Sequence, residues 1–312
     1  IRSTILKNPS NSIIAFSDDS SAIRGYKIWT ILPSVPGKSS AFIPKECYYH
    51  VLFTAETHNY PSGIQPFEGA TTGTGGMTSV TSHYPVIDGE VIPDVPAKLA
   101  RDGAAGGTPA IIGSNLDEYT LFAIMDPSFA SMTEEEMKKR LNAMLPGPGA
   151  DMVIEVYGKA IQKRGEKATP ANILIAVITD LMFRMPSLDL VEAQRESNTP
   201  VYNYIFTWQS PAMGGVFRAC HALEIGFVFG QCDPAFHGAG PEADRLSECI
   251  QEAWLAFAKT GNPSGTCLGD WPEYGSRRMT MVLGKESRAE AAPFEAERAV
   301  WEQVRRYDTF VL

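Results

Sequence analysis

The sequence lacks several features that would place it in a specialised class of proteins. It holds 27 Lys and Arg against 36 Asp and Glu, so the basic excess that nucleic-acid binding needs is missing. The longest apolar run, residues 173–183, is interrupted by Thr179 and Asp180 and is shorter than the ~18 residues of a membrane span. No CxxC pair or other ligand spacing supports a metal site. We therefore expect a globular protein with no nucleic-acid partner, no membrane and no metal.

The chain also lacks a starting methionine and a charged-then-apolar leader. It opens with Ile1, Arg2 and Ser3, and we expect that residue 1 is not the natural start. A cytoplasmic location is the expectation, with secretion as the alternative. Buried free thiols are then expected, and one disulfide is the alternative for an exported protein. The cysteines concerned are Cys47, Cys220, Cys232, Cys249 and Cys267.

Charge and residue pattern divide the sequence into two parts. Residues 1–78 hold 6 basic and 5 acidic residues, a net +1, whereas the remainder holds 21 and 31, a net −10. The first part shows no helical periodicity, and its β-rich runs 12–16 and 48–54 predict strands. From residue 84, predicted strands alternate with predicted helices, which indicates an α/β fold.

The elements predicted for this second part follow from apolar runs, caps and breakers. Strands are predicted at 109–113, 201–207 and 279–283. A capping box beginning at Thr133 predicts a helix through Leu145, and Thr169 caps a helix over 170–196 that Pro186 should kink or split. Further helices are predicted at 151–162, 242–259 and 293–307.

An acidic pair and a histidine in this part are candidates for catalysis. Asp117 and Glu118 follow the strand at 109–113, and His221 lies in a loop after the strand at 201–207. Taken singly, an acidic pair on a loop is typical of a solvated turn, and a lone histidine is typical of a structural residue. Together, a carboxylate and an imidazole are two thirds of a nucleophilic triad, in the chain order of α/β-hydrolases.

Six ordered motifs in residues 84–312 resemble the C-terminal half of type-B carboxylesterases. They lie at 84–93, 113–118, 220–230, 253–258, 260–263 and 271–274. The resemblance implies a partial α/β-hydrolase fold, a small carboxylic ester as substrate and no cofactor. By the same resemblance Glu118 is the triad acid and His221 the general base. Glu224 and Asp117 are supporting residues, residues 227–229 pack beside the pocket, and Tyr119 replaces the usual glycine.

The nucleophile of this family is absent from the sequence. Acyl transfer in the family uses a G-x-S-x-G elbow, and none occurs in the 312 residues. The nearest string, residues 37–41, ends in Ala41. We therefore expect a missing N-terminal esterase half that carries the serine, and no turnover of p-nitrophenyl acetate by this chain alone.

The glycine-rich residues 69–76 are read in two ways. As a generic pattern they favour a flexible turn over an anion cradle. Residues 4–76 as a whole, however, resemble phosphoribosylformylglycinamidine synthase, an ATP- and glutamine-dependent purine-pathway enzyme. That resemblance implies ATP and magnesium as cofactors, a catalytic His58, and Glu56 near the metal–nucleotide site, with Tyr60 in place of a second histidine. Glycines near the substrate phosphate are Gly73, Gly75 and Gly76.

The sequence thus predicts three segments. Residues 1–77 are a β-rich fragment of one enzyme, 78–83 a seam, and 84–312 the C-terminal part of an esterase domain. The leading hypothesis is a carboxylic-ester hydrolase. The alternatives are the purine-synthesis ligase and a chimeric product without catalytic function.

Overall fold

A computed structural model describes residues 5–7, 13–15, 27–31, 49–53 and 87–305 of the chain. The first four of these segments are strands that pair antiparallel in chain order. They are β1 (Ile5–Lys7), β2 (Ile13–Ala15), β3 (Lys27–Ile31) and β4 (Tyr49–Phe53). The strands predicted at 12–16 and 48–54 are confirmed as β2 and β4.

A second sheet organises residues 87–305. Its strands are β5 (Ala110–Asn115), β6 (Val201–Phe206), β7 (Met279–Leu283) and β8 (Arg288–Ala291), in that spatial order. β5, β6 and β7 run parallel, and β8 pairs antiparallel with β7. The three parallel strands are the predicted ones and are rich in buried apolar residues, as strands covered on both faces are. The sequence did not predict β8, because its four residues carry two charges and no apolar run.

Helices connect these strands and cover the sheet, which confirms the predicted α/β class. Before β6 they are α1 (Pro96–Arg101), α2 (Thr120–Ala123), a 3-10 helix (Pro127–Ser131), α3 (Glu134–Met144), α4 (Gly149–Lys163), α5 (Pro170–Thr179) and α6 (Met185–Glu196). After β6 they are α7 (Ala212–Gly215), α8 (Leu223–Val228), α9 (Pro234–His237), α10 (Pro241–Thr260) and α11 (Glu295–Arg305).

Local hydrogen bonds explain where two of the predicted helices begin. The hydroxyl of Thr133 accepts a 3.1 Å bond from the amide of Glu136, which is the N-cap half of the predicted capping box, while the Glu136 carboxylate accepts from Arg140. The hydroxyl of Thr169 likewise accepts from the amide of Asn172 at 3.2 Å. Each cap satisfies an amide that has no partner inside the helix.

The break predicted at Pro186 lies a few residues earlier than the proline. α5 passes into a π-helical segment, Asp180–Arg184, before α6 begins. Pro186 has no amide hydrogen to donate to the preceding turn. Because the π-helical segment ends at Arg184, the proline lies in the first turn of α6, where an amide hydrogen is not needed. The helix is therefore divided, but the irregular backbone precedes the proline.

Alternate residues of the second sheet face two different cores. Tyr202, Tyr204 and Phe206 of β6 pack with α8 and α10 on one face. On the other face, Ile112 of β5 packs with Val191 of α6. A separate helical core joins α3, α4, α5 and α11. The two-residue period of β5 and β6 is what allows one strand pair to serve both faces.

The expectation that all cysteines are free thiols is wrong. Cys249 of α10 and Cys267 form a disulfide, with their Cα atoms 5.0 Å apart. Cys220 and Cys232 are free thiols, and Cys47 lies outside the described residues. The bonded pair lies 18 residues apart in sequence, so spacing alone did not identify it.

Candidate active site

Glu118 lies in the turn that follows β5 and is buried at 6% exposure. The backbone amide of Asn115, at the end of β5, donates a 2.7 Å hydrogen bond to Oε1 of Glu118. The other carboxylate oxygen, Oε2, lies 2.7 Å from Nδ1 of His221. Both oxygens are therefore held, which fixes the rotamer of the carboxylate.

His221 reaches Glu118 because β5 and β6 are parallel neighbours whose carboxyl ends meet at one sheet edge. Its backbone amide also donates to the carbonyl oxygen of Glu118 at 3.3 Å. A carboxylate can only accept, so with Glu118 ionised the proton of the imidazole resides on Nδ1. Nε2 then carries the lone pair that a general base uses.

Two phenyl rings border the imidazole of His221. The ring centroid of Phe122 lies 5.5 Å away and that of Phe183 lies 5.3 Å away. The His221 side chain keeps 35% of its surface exposed. The imidazole thus has an apolar surround on the side of α2 and the π-helical segment, together with an accessible face.

The reading of the acidic pair as a solvated turn is wrong, since Asp117 is as buried as Glu118. Its carboxylate lies 3.2 Å from Nε of Arg218 and accepts the amide of Ala219 at 3.3 Å. Burial raises the pKa of Asp117, and the charge of Arg218 opposes that rise. Asp117 therefore ties the acid turn to the loop that precedes His221.

Glu224 is buried at the start of α8, close to the Glu118–His221 pair. Nδ2 of Asn115 donates to Oε2 of Glu224 at 2.5 Å and to the carbonyl oxygen of Cys220 at 2.8 Å. Burial, together with the negative charge of Glu118, raises the pKa of Glu224 to about 7. Asn115 was not among the predicted site residues. An asparagine at the end of a buried strand, directly before the turn that carries the acidic pair, is the signal that could have identified it.

Tyr119 and Phe227, two residues named from the family resemblance, both lie in the interior. Tyr119 has an ordinary helical backbone, its amide donates to the hydroxyl of Thr179 at 3.0 Å, and its ring lies beside Phe129. A side chain therefore fits where the family usually has glycine. Phe227 is fully buried against Phe206 in the core.

The candidates in the first part of the chain lie outside the described residues. These are Glu56, His58, Gly73, Gly75 and Gly76. Within residues 87–305 no group of three or more His, Cys, Asp or Glu side chains could hold a metal ion. No helix in the described part is both long enough and apolar enough to cross a membrane.

Known proteins resemble both parts of the chain. A sequence model of the carboxylesterase family matches residues 64–301. The para-nitrobenzyl esterase of Bacillus subtilis (strain 168) is 34% identical over 219 residues, which make up 69% of this chain and 42% of that protein. A carboxylesterase structure from Geobacillus stearothermophilus, 33% identical, superposes with a TM-score of 0.60 over 72% of this chain and 47% of that chain. The chain thus spans less than half the length of these relatives.

A different enzyme matches a shorter stretch. Phosphoribosylformylglycinamidine synthase of Dictyostelium discoideum is 50% identical over 76 residues, which are 24% of this chain and 6% of that protein. That length is close to the segment 4–76, which carries the same resemblance.

Proposed function

This chain belongs to the carboxylesterase family, and we propose that it supplies the acid and the base of a Ser-His-Glu carboxylic-ester hydrolase. The observation that supports this proposal is the 2.7 Å contact between Nδ1 of His221 and Oε2 of the buried Glu118. Glu118 orients the imidazole, and His221 acts as the general base.

The reaction needs a serine hydroxyl beside Nε2 of His221. As the serine oxygen attacks the ester carbonyl, His221 takes its proton and then gives it to the departing alcohol. A water molecule repeats the sequence on the acyl-enzyme and releases the acid. Glu118 stabilises the imidazolium that forms in each half of the cycle.

We propose that the serine belongs to an N-terminal esterase segment outside these 312 residues. The sequence has no G-x-S-x-G elbow, and the chain spans 42% of its Bacillus subtilis relative. Residues 84–312 are then the C-terminal part of the esterase domain, 78–83 the seam, and 1–77 a segment from another enzyme.

The substrate class proposed is a small or medium uncharged carboxylic ester. Phe122 and Phe183 surround the base with apolar surface, which favours an uncharged group near the reacting carbonyl. The chemistry of a Ser-His-Glu site needs no cofactor.

Two observations point to different cellular compartments for this protein. The sequence suggested a cytoplasmic protein, whereas the Cys249–Cys267 disulfide is typical of an oxidising compartment. Alkylation of the thiols in freshly lysed source cells, followed by mass spectrometry, distinguishes the reduced pair from the bonded one.

The proposed function is tested by restoring the absent segment. The N-terminal part of the Bacillus subtilis esterase is fused to residues 84–312 and assayed on p-nitrophenyl acetate beside the unmodified chain. We expect turnover from the fusion only, and a loss of about 10³-fold or more in kcat with His221→Gln. His237→Gln, a change at the other histidine of residues 87–305, is the control and should retain most of the activity.

Two results would contradict the proposal. Full activity in the His221→Gln fusion would remove His221 from the chemistry. Turnover by the unmodified chain that His221→Gln abolishes would mean that the nucleophile lies within the 312 residues.

A second candidate function is nucleotide binding by the first part of the chain. The 50% identity to phosphoribosylformylglycinamidine synthase is the observation that favours it. Under this hypothesis ATP with magnesium raises the melting temperature of the full chain, and His58→Ala abolishes that rise. An unchanged melting temperature at millimolar ATP and magnesium counts against this function.

A further inference from the structure

We propose that Asn115 is a positioning residue that holds the loop bearing His221 in register with Glu118. The inference rests on the proposed function, in which these two residues are the base and the acid. Asn115 lies at the end of β5 and is 1% exposed. It hydrogen-bonds to Glu118 and to residues before and after His221.

Three hydrogen bonds from one residue connect the acid turn to the histidine loop. The backbone amide of Asn115 binds Oε1 of Glu118, which directs Oε2 towards His221. The side-chain Nδ2 binds the carbonyl oxygen of Cys220, the residue directly before His221. The same Nδ2 binds Glu224, three residues after His221. The side-chain amide of Asn115 therefore holds the chain on both sides of His221, at Cys220 and at Glu224.

The histidine loop needs such contacts because its backbone is strained. Arg218 and Ala222 have φ values of 54° and 65°, a left-handed region that side-chain-bearing residues rarely occupy. Residues persist there only when their surroundings hold them. Asn115 binds the carbonyl of Cys220, two residues before Ala222. Asp117 accepts from the amide of Ala219, the residue directly after Arg218.

The side-chain amide of Asn115 has one defined orientation. The Cys220 carbonyl oxygen that Nδ2 meets can only accept a hydrogen bond, so a flipped amide would place oxygen against oxygen. Among the described residues no donor reaches Oδ1 of Asn115. An unpaired buried oxygen lowers the free energy of unfolding. We therefore explain the presence of an asparagine at position 115 by the two contacts of Nδ2 and not by a gain in stability.

Charged and titratable groups from every adjoining element interact with Glu224, the carboxyl that accepts a hydrogen bond from this amide. Glu118 comes from the acid turn, His221 and Cys220 from the loop, Glu224 from α8 and Tyr204 from β6. Two buried carboxylates are thus separated by one neutral donor. Removal of that donor takes away the hydrogen bond to the loop at Cys220. It also changes the charge of Glu224, which interacts with His221.

The titration of His221 in the full chain measures both effects without requiring ester turnover. The chain holds five histidines, so His221→Gln assigns the imidazole signals in NMR spectra of ¹³C,¹⁵N-histidine-labelled protein. With Asn115→Leu we expect the downfield Nδ1 proton signal of His221 to disappear. We also expect the midpoint of its titration to fall by about half a pH unit or more, because the imidazolium loses part of its contact with Glu118.

Asn203→Leu is the matched control. Asn203 is a buried asparagine on β6 whose amide donates to the carbonyl of Ile112 at 2.9 Å and accepts from Thr280, away from the site. It loses as many hydrogen bonds as Asn115→Leu but should leave the His221 signals unchanged. If Asn115→Leu does not fold, Asn115→Ser is used, since its hydroxyl is too short to reach Cys220.

A second comparison separates positioning from charge. Glu224→Gln removes the charge but keeps an oxygen that accepts from Asn115, so the Nδ1 proton signal should remain. Adding Asn115→Leu to that variant should still abolish the signal. Loss of the Asn115 effect in this background would overturn the proposal, as would an unchanged His221 titration in Asn115→Leu or an equal change in Asn203→Leu. A failed esterase fusion with a responsive His221 titration would contradict the proposed function alone.

Discussion

At the residue scale, the buried carboxyl of Glu224 links the candidate site to the stability of the fold. Its pKa is raised from 4.5 to about 7 by burial and by the nearby charge of Glu118. Between these two values the folded chain binds a proton that the unfolded chain releases. Stability therefore falls as the pH rises through this window.

Glu224→Gln should remove that fall, because glutamine does not titrate. Between pH 5 and pH 8 we expect the variant to lose less of its free energy of unfolding than the unmodified chain, by up to about 3 kcal/mol. Urea unfolding at the two pH values measures the difference. Glu248→Gln, at an exposed position of α10, is the control and should keep the original pH dependence. Equal slopes for all three proteins would contradict the prediction.

Gly113 shows at the same scale how closely β5 and β6 approach. It lies opposite Tyr204 in register, and a Cβ atom there would overlap the Tyr204 ring and carbonyl oxygen. Gly113→Ala should therefore destabilise the chain by about 1–3 kcal/mol or more. Gly158→Ala, in the middle of α4, is the matched control, because its Cβ would make an ordinary 3.8 Å contact with Ile173 of α5. It should raise stability by about 0.5–1 kcal/mol. Thermal unfolding of both variants tests the contrast.

At the element scale, the π-helical segment between α5 and α6 places an ion pair in the helical core. Nε of Arg184 donates to Oδ1 of Asp180 at 2.7 Å, and both side chains are buried. Tyr157 of α4 donates to the same carboxylate and accepts from the indole of Trp301 on α11 at 2.7 Å. One irregular segment thus connects two other helices through polar groups.

Removal of one member of this pair should cost more than removal of both. Asp180→Asn leaves the Arg184 guanidinium buried without its counter-charge, which costs about 3–5 kcal/mol. The double variant Asp180→Asn with Arg184→Met should recover part of that loss, because no unpaired charge remains. A double-mutant cycle by urea unfolding measures the coupling, and additive losses would show that the pair is not coupled.

At the scale of the whole molecule, the described atoms of the candidate site all come from residues 87–305. Deletion of residues 1–77 should therefore leave the Nδ1 proton signal and the titration midpoint of His221 unchanged. The NMR titration of the shortened chain, compared with that of the full chain, measures this. A shift of the midpoint by half a pH unit would indicate that the first part contributes to the site.

Much of the architecture could be predicted from sequence because its signals are local. Caps at Thr133 and Thr169 and the apolar runs of β5, β6 and β7 each depend on a few neighbouring residues. The helix over 170–196 was predicted in position but not in detail, since the π turn depends on what Asp180 and Arg184 contact. The polar strand β8 gave no local signal.

The sequence by itself determined the family, the three parallel strands of the second sheet, its longer helices, and the two residues to consider as acid and base. Only the tertiary structure brought Glu118 and His221 to 2.7 Å across 103 residues of chain, buried Asp117, and bonded Cys249 to Cys267. It also identified Asn115, whose partners lie 105 and 109 residues away. The physical reason is that residue type and local pattern act over a few positions, whereas burial, charge pairing and hydrogen bonding between distant segments exist only after the sheet has formed.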